Sequence, residues 1–225
     1  MKADLHVHTS YSYDCNSKPE EVVRKALDKQ IDCLAVCDHE EIKGAEMAQK
    51  AAFNLPVLII PGIEVKSKAG DILGLNVTEI IPNGLSAKET IKKIKGAGGM
   101  AIIPHPFGWF CGFKEDLKEI ALEIDGIEVF NAAIFGPGNK KALAFAQKFN
   151  LPFTAGSDAH SLDLIGQSFL EIPGENLSVK ELLEQVRQRN VKICGKEANF
   201  FEKLLEHTKR NLAKIKNVGR KKRKI

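Results

Sequence analysis

The feature that most constrains the fold is a repeated alternation of short apolar runs with longer segments of helical character. The apolar runs ADLHVHT, DCLAVCDH and PVLIIPGIEV are separated by PEEVVRKALDKQ and EIKGAEMAQKAAF, and further pairs follow along the chain. This alternation is typical of βαβ units. About seven core strands can be counted, and near-continuous apolar strands such as VLIIPGI indicate parallel strands covered on both faces. We therefore predict an α/β barrel in preference to an open sheet.

The end of the chain differs in composition from the rest. After Glu206 there are nine Lys or Arg and no acid, and because the net charge is only +4, the preceding part is net acidic. We predict a barrel domain over residues 1–197 and a C-terminal helix with a basic tail over 198–225. The basic segment 207–225 either contacts nucleic acid or only keeps the end of the chain solvated. We expect the helix to dock on the barrel through an apolar stripe, which consists of Phe200, Phe201, Leu204, Leu205, Leu212 and Ile215.

Targeting signals and cysteine usage indicate the compartment. The N-terminus, MKADLHVHTS, lacks the apolar run of a signal peptide. The longest apolar stretch, LPVLIIPGI, is far shorter than the roughly 20 residues that a membrane span needs. Five cysteines, an odd number, fit free thiols better than a disulfide framework. We expect a cytoplasmic protein without a membrane partner.

Two histidines in the first predicted strand are the first sign of a metal site. His6 and His8 lie two residues apart, so both side chains leave the same face of a strand, with about 6.6 Å between their Cα atoms. Both imidazoles can then converge on one ion. Taken alone, such a pair is also compatible with partly buried histidines that are hydrogen-bonded to the backbone.

The same residue types recur at later strand ends, where the active sites of parallel barrels lie. They are Asp38, His39, Glu64, His105, Asp158 and His160. Each has an ordinary structural explanation, such as a helix cap, a turn residue or a surface carboxylate. Together, however, they would be costly to bury around one pocket without a cation. Imidazole and carboxylate donors without thiolate favour Zn, Mn or Fe(II).

Five ordered motifs resemble a known family. DLHVHTSYS, CDHEEIKGA, PGIEV, IPHPF and AGSDAH are similar to the motifs of the PHP (polymerase and histidinol phosphatase) superfamily, and in particular to those of its small stand-alone phosphoesterases. The resemblance covers roughly residues 3–172. It implies a distorted (β/α)7 TIM-like barrel that holds two or three divalent metal ions and cleaves phosphate esters. This fold agrees with the strand count.

The resemblance also implies the ligands of the first two metals. His6, His8, Glu64 and Asp158 would surround one metal, and Glu64 would bridge to a second, which His105 also binds.

The third metal, one matching loop position and one departure from the family pattern complete the implied ligand set. His39 and His160 would bind the third metal, and Asp14 occupies the loop position after the first strand where many relatives have a further ligand. Asp71 stands where many relatives have a histidine, so it is either an oxygen ligand or leaves that position to water.

Catalytic and substrate-binding residues follow from these assignments. We assign catalytic roles to His39 and His160 through the metal that they bind, and to Asp38, which either acts directly or orients a histidine. Three residues just beyond predicted strand ends are candidates for binding phosphate, although loop lysines are commonly only solvated: Lys66, Lys68 and Asn131.

The sequence thus predicts a metal-dependent phosphoesterase in which a metal-bound hydroxide attacks phosphorus. The expected substrate is a small phosphorylated metabolite, a nucleotide or an oligonucleotide end, and no residue selects among them. The basic tail slightly favours nucleic-acid ends. Two alternatives remain: a non-catalytic nucleic-acid-binding or polymerase-accessory module, and an amidohydrolase that cleaves C–N bonds.

Overall fold

The structure, a computed structural model, describes residues 1–134, 136–197 and 200–222. Its strands are β1 (Lys2–Val7), β2 (Cys33–Val36), β3 (Leu58–Lys66), β4 (Asp71–Leu75), β5 (Met100–Ile103), β6 (Gly126–Asn131), β7 (Phe153–Gly156), β8 (Ser168–Glu171) and β9 (Lys192–Gly195). Its α-helices are α1 (Pro19–Asp28), α2 (Lys43–Ala51), α3 (Ala87–Gly96), α4 (Gly138–Lys148), α5 (Val179–Arg187) and α6 (Phe200–Lys222).

The strands form one curved sheet in the order β7-β6-β5-β4-β3-β2-β1-β8-β9. The first seven strands form the barrel. Beyond β1, the sheet continues with β8, which pairs antiparallel with β1, and β9, which pairs antiparallel with β8. The barrel closes just after β7, where Val7 bridges Ala159 and the His8 amide donates to the Ala159 carbonyl over 3.0 Å. The predicted distorted seven-stranded barrel is therefore confirmed, and it closes at the C-terminal end of its strands.

One barrel strand runs against the others. β4 pairs antiparallel with both β3 and β5, whereas the pairs among β1, β2 and β3 and among β5, β6 and β7 are parallel. A short turn, not a helix, joins β3 to β4. In it the Ser67 amide donates to the Gly70 carbonyl over 2.9 Å, and Gly70 has a φ of +138°, which favours glycine. The prediction that the strands are parallel is wrong for β4, because apolar content reports burial and not strand direction.

The alternating pattern predicts a helix over EDLKEIALEI, between the fifth and sixth strands, and this prediction is wrong. The segment contains a single 3-10 turn, Leu117–Glu119. Much of the connection between β5 and β6 is used by a loop that packs on the β3–β4 turn, where the Lys114 amide donates to the Ala69 carbonyl over 2.7 Å. The buried Leu117, Ile120 and Ile124 therefore reach the core from turns.

An irregularity in β1 turns the paired histidines inwards. Ala3 and Leu5 belong to the apolar core inside the barrel, whereas Val7 packs outwards in the core under α1. The pairing register of β1 with β2 shifts between Asp4 and Val7. Because alternate residues of a strand face opposite sides, this shift directs His6 and His8 to the interior.

The long helix α6 docks on the barrel with a different face from the predicted one. Ala213 is almost fully buried, and the Asn217 side chain donates to the Tyr13 carbonyl over 3.1 Å. The side chains of Leu204, Leu205, Leu212 and Ile215 are exposed, so this part of the apolar stripe is not the docking face. The side chains of Phe200 and Phe201 lie outside the described part of the structure.

The boundary at residue 197 stays a prediction. The start of the predicted tail at Ala198 and Asn199, and its end at residues 223–225, lie outside the described residues. Among the described helices, none combines the length and apolarity required to span a membrane.

Candidate metal centre

Seven predicted ligand side chains converge at the C-terminal end of the barrel. This cluster consists of His6, His8, His39, Glu64, His105, Asp158 and His160. All are buried except His39, whose side chain is 12% exposed. They come from β1 and β3 and from the loops after β1, β2, β5 and β7, so only closure of the barrel brings them together.

Glu64 lies at the centre of the cluster. Its Oε2 atom is 3.0 Å from Nδ1 of His39 and 3.4 Å from Nε2 of His8. Nε2 of His6 lies 3.6 Å from the same oxygen, and Oε1 is 3.2 Å from Nε2 of His105. One carboxylate therefore contacts four imidazoles, the geometry expected of a bridging ligand.

The donor atoms divide into three overlapping groups. The groups are His8 with His39 and His160, His6 with His8 and Asp158, and His6 with Glu64 and His105, and the donor atoms of each lie within 4.8 Å of one another. Donors held about 2.1 Å from a tetrahedral ion stand about 3.4 Å apart. In the second group, Nε2 of His8 lies 3.2 Å from Nε2 of His6 and 3.4 Å from Asp158 Oδ1. This spacing suits a shared ion.

The buried carboxylates and imidazoles of the cluster shift one another's pKa values. Burial opposes protonation of His6, but the carboxylates of Asp158, Glu128 and Glu64 outweigh it and hold the pKa of His6 well above its ordinary value. Burial likewise favours neutral Glu64, yet the neighbouring His39 and His6 hold the pKa of Glu64 well below its ordinary value. For His8, burial and the neighbouring His160 lower the pKa well below its usual range.

Two buried polar atoms in or beside the cluster have no hydrogen-bond partner among the described residues. Within the described part of the chain, Asp14 Oδ1 and Nε2 of His39 are buried without a hydrogen bond. Buried polar atoms normally have partners, and an ion would provide one. Imidazole and carboxylate donors at this spacing therefore fit divalent ions such as Zn, Mn or Fe(II).

A buried carboxylate fixes the orientation of His6. Glu128 Oε1 lies 3.1 Å from Nδ1 of His6, and Oε2 accepts from the His105 amide over 2.9 Å. With its Nδ1 proton directed at Glu128, His6 presents the lone pair of Nε2 to the cluster. Glu128 is 1% exposed and was not predicted from the sequence.

The Ser12 hydroxyl links His8 to Asp38 and so fixes the orientation of the His8 imidazole. Ser12 Oγ donates to Asp38 Oδ1 over 2.9 Å and lies 3.0 Å from Nδ1 of His8. Asp38 also accepts from the amide and the hydroxyl of Thr9, both over 2.6 Å. The structure thus places Asp38 behind His8, where it orients a ligand through Ser12, and a direct catalytic role stays a prediction.

Two ligand positions have a left-handed backbone. His105 has a φ of +32° and Asp158 a φ of +52°. Such conformations are uncommon for residues other than glycine and concentrate at functional sites. Here the surrounding bonds hold them: the His105 amide donates to Glu128, and the Asp158 amide donates to the His6 carbonyl over 2.8 Å.

Asp14 lies at the edge of the cluster and is shared with α6. Its Oδ1 atom is 3.3 Å from Nε2 of His160, and its Oδ2 atom is 3.6 Å from Nε2 of His39. The Arg210 guanidinium donates to the same Oδ2 from one terminal nitrogen over 2.8 Å and from Nε over 3.2 Å. Burial opposes ionisation of Asp14, but His160 and His39 hold its pKa well below the usual range.

The other predicted residues lie outside the three donor groups. Asp71 pairs with the ammonium of Lys66, 3.0 Å from its Oδ1 atom, and its ligand role stays a prediction. Lys66 is 60% exposed in its side chain, and Lys68 is exposed near Glu89 at the start of α3. Phosphate binding by either lysine stays a prediction.

Asn131 is fully buried beside the cluster. Its side-chain amide donates to Glu128 Oε2 over 2.8 Å and to Asp158 Oδ2 over 3.4 Å. This placement suits positioning of Asp158 better than contact with a substrate, which stays a prediction.

Comparisons with known proteins identify similar sequences. A family model described as PHP-associated matches residues 136–191. An uncharacterised protein of Methanocaldococcus jannaschii is 40% identical over 142 residues, 59% of this chain and 82% of that protein. A 5'-3' exoribonuclease of Haemophilus influenzae is 31% identical over 98 residues, 42% of this chain and 35% of the exoribonuclease.

Solved structures share the fold. A two-domain protein of Bacteroides vulgatus that contains a predicted PHP-like metal-dependent phosphoesterase superposes with a TM-score of 0.75 at 18% identity, over 93% of this chain and 69% of that one. The chain therefore shares its fold with a PHP-like phosphoesterase, and residues 136–191 match a PHP-associated family model. An amidohydrolase of Chromobacterium violaceum, with bound sulfate and no metal, also shares the fold of this chain, with a TM-score of 0.64 at 17% identity over 85% of this chain and 98% of that one.

Sequence reasoning missed three polar residues that this barrel uses. Glu128 stands in the apolar strand GIEVFN, and a single acid in such a strand was the available signal. Ser12 gave no signal beyond its position after the paired histidines. Arg210 was counted only as tail charge, because nothing local relates it to Asp14, 196 positions earlier.

Proposed function

We propose that the chain is a metal-dependent phosphoesterase that hydrolyses an ester of a small phosphorylated metabolite, a nucleotide or an oligonucleotide end. The observation that carries this proposal is the bridging position of Glu64, which joins four histidines in overlapping donor groups. Several adjacent divalent ions suit phosphoryl transfer, because a phosphate ester repels an attacking oxygen until its charge is neutralised. The phosphoesterase description of the Bacteroides vulgatus protein supports the same reaction class.

The residues around the candidate metal centre would have distinct roles in this reaction. Divalent ions would supply charge neutralisation and acidify a coordinated water. Glu128 and Ser12 hold the imidazoles of His6 and His8 so that Nε2 faces the ions. His39 is the most exposed cluster member, and the half-exposed ring of Tyr13 stacks on it at 4.9 Å, so a substrate would enter beside Tyr13.

The test is hydrolysis of a panel of phosphomonoesters, bisphosphates and short oligonucleotides with Mn-loaded protein. Glu64→Gln keeps the shape of the bridging side chain but removes its charge, and His8→Ala removes a donor shared by two groups. Glu171→Gln is the matched control, because Glu171 is an exposed carboxylate paired with Lys192. We expect hydrolysis by wild type and Glu171→Gln and a loss of about 100-fold or more in the other two variants.

The same experiment distinguishes two other functions. The fold similarity to an amidohydrolase favours C–N hydrolysis as the second candidate, and cleavage of amide substrates without phosphoesters would establish it. Protein that neither retains metal nor hydrolyses any substrate would support the accessory module that binds nucleic acid.

A further inference from the structure

The helix α6 places a cation beside the metal centre. Two donors of the Arg210 guanidinium bind Asp14 Oδ2, over 2.8 and 3.2 Å, and Asp14 in turn contacts His39 and His160. Arg210 is therefore one carboxylate away from two candidate metal ligands. Its side chain is 28% exposed, so the guanidinium is also reachable from solvent.

Residues of α6 other than Arg210 anchor this helix on the barrel. Lys209 pairs with Asp163 over 3.3 Å, Ala213 is buried and Asn217 bonds to the Tyr13 carbonyl. The burial of Ala213 and the hydrogen bond of Asn217 hold the helix on the barrel, whereas the Lys209–Asp163 pair is solvent-exposed and contributes little to docking. Docking of α6 therefore does not require the Arg210 guanidinium, so we look for a role of this group in ligand binding.

The guanidinium keeps capacity for a second anion. Arginine has five N–H donors, and the hydrogen bonds that Arg210 makes to described residues use two of them. Burial opposes its charge, but Asp158 and Asp14 outweigh burial and raise the pKa of Arg210 further above its ordinary value. Its field thus reaches the carboxylates that would surround the ions. Divalent ions would neutralise those carboxylates, so they would no longer repel an anion beside the ions, and that anion could accept from the guanidinium donors that Asp14 does not use.

We propose that Arg210 binds a phosphoryl oxygen of the substrate, so that α6 forms one wall of the active site. The planar fork of a guanidinium matches two oxygens of a phosphoryl group and distinguishes Arg from Lys in this role. The wall includes Tyr13, which stacks on His39 and lies 5.7 Å from the ammonium of Lys214. This inference rests on the proposed function in taking a phosphoryl group as the ligand.

The test measures binding of inorganic phosphate, without turnover, by calorimetry on full-length Mn-loaded protein. We compare wild type with Arg210→Ala, Arg210→Lys and Lys209→Ala. The last variant is the matched control, since it removes one positive charge from the adjacent position of the same helix, where the side chain faces Asp163. Metal content and melting temperature are recorded for each protein, so that loss of metal or of folding is recognised.

We expect phosphate to bind about 10- to 100-fold more weakly to Arg210→Ala, in line with the loss of charge-assisted hydrogen bonds. Arg210→Lys should lie between wild type and Arg210→Ala, and Lys209→Ala should match wild type within about 2-fold. With a hydrolysed substrate, KM should rise in the same order. Arg210→Lys, which preserves the charge beside Asp14, also decides the case if Arg210→Ala loses metal or stability.

Three results would overturn the inference: equal phosphate affinity in Arg210→Ala and Lys209→Ala, tighter binding in Arg210→Ala, or no phosphate binding by wild type. An active wild type with unchanged affinity in Arg210→Ala refutes this inference alone. Arg210-dependent phosphate binding by a protein that hydrolyses no phosphoester refutes the proposed function and leaves the inference standing.

Discussion

The replacement Glu128→Gln tests whether a buried carboxylate outside the three donor groups controls metal binding. Three donors converge on the two oxygens of Glu128: Nδ1 of His6 at 3.1 Å, the His105 amide at 2.9 Å and the Asn131 side chain at 2.8 Å. Glutamine has nearly the same shape but only one acceptor oxygen. Its NH2 group must therefore face at least one of these donors.

The expected magnitude follows from which donor loses its acceptor. If the NH2 group faces His6, the imidazole must shift its proton to Nε2, the atom that faces the ions. If it faces the other side, the His105 amide and Asn131 remain unsatisfied in a buried environment, at about 1–3 kcal/mol for each donor. Loss of such an orienting partner typically weakens metal affinity 10- to 100-fold, or about 1.4–2.8 kcal/mol.

The assay is competition for Mn between the protein and a chromophoric chelator, at a temperature well below unfolding. Glu171→Gln provides the control, because the exposed Glu171 lies outside the cluster and pairs with Lys192. Equal Mn affinity in Glu128→Gln and the control would refute the reasoning that Glu128 sets the tautomer of His6 and the position of His105.

Three further predictions concern protons, the tail and a helix cap. Because the pKa values of His6 and His105 are raised in the folded metal-free protein, their protons stabilise it below about pH 6.5, and this contribution is lost as pH rises through the raised values. Metal binding should then release protons and strengthen from about pH 6 to 8, as calorimetry in buffers of different ionisation enthalpy would show; pH-independent affinity would contradict this. Deleting residues 218–225 removes five basic residues but keeps Arg210. The slope of log affinity for oligonucleotides against log salt concentration should then become shallower by about 0.7 for each lost phosphate contact. An unchanged slope would exclude these residues as a contact. Ser178→Ala should lower the free energy of unfolding by about 1 kcal/mol in urea titrations, because Ser178 Oγ accepts from the Glu181 amide at the start of α5, and an unchanged value would show that this cap is dispensable.

The parts of the fold that depend on local pattern could be predicted. The alternation of strands and helices identified the barrel, and the two-residue spacing of His6 and His8 indicated that both imidazoles face the same pocket, where they share a donor group. The reversal of β4 could not be predicted, because a buried strand has the same apolar content in either direction.

The parts of the site that depend on distant partners could not be predicted. The partners of Glu128 are 122, 23 and 3 positions away, and those of Arg210 lie at the opposite end of the chain. Pattern also failed for α6, where the apolar stripe was expected to face the barrel. The structure instead docks the face that carries Arg210, Ala213 and Asn217. Helical periodicity shows that a helix has an apolar face but not which face is buried.

The most direct test of the account is an anomalous difference map from a crystal of the protein soaked in Mn²⁺. We predict two or three peaks inside the cluster, each about 2.0–2.3 Å from its donor atoms, with Glu64 bound to more than one ion. A map without peaks among these side chains, in crystals that contain the metal in solution, would contradict it.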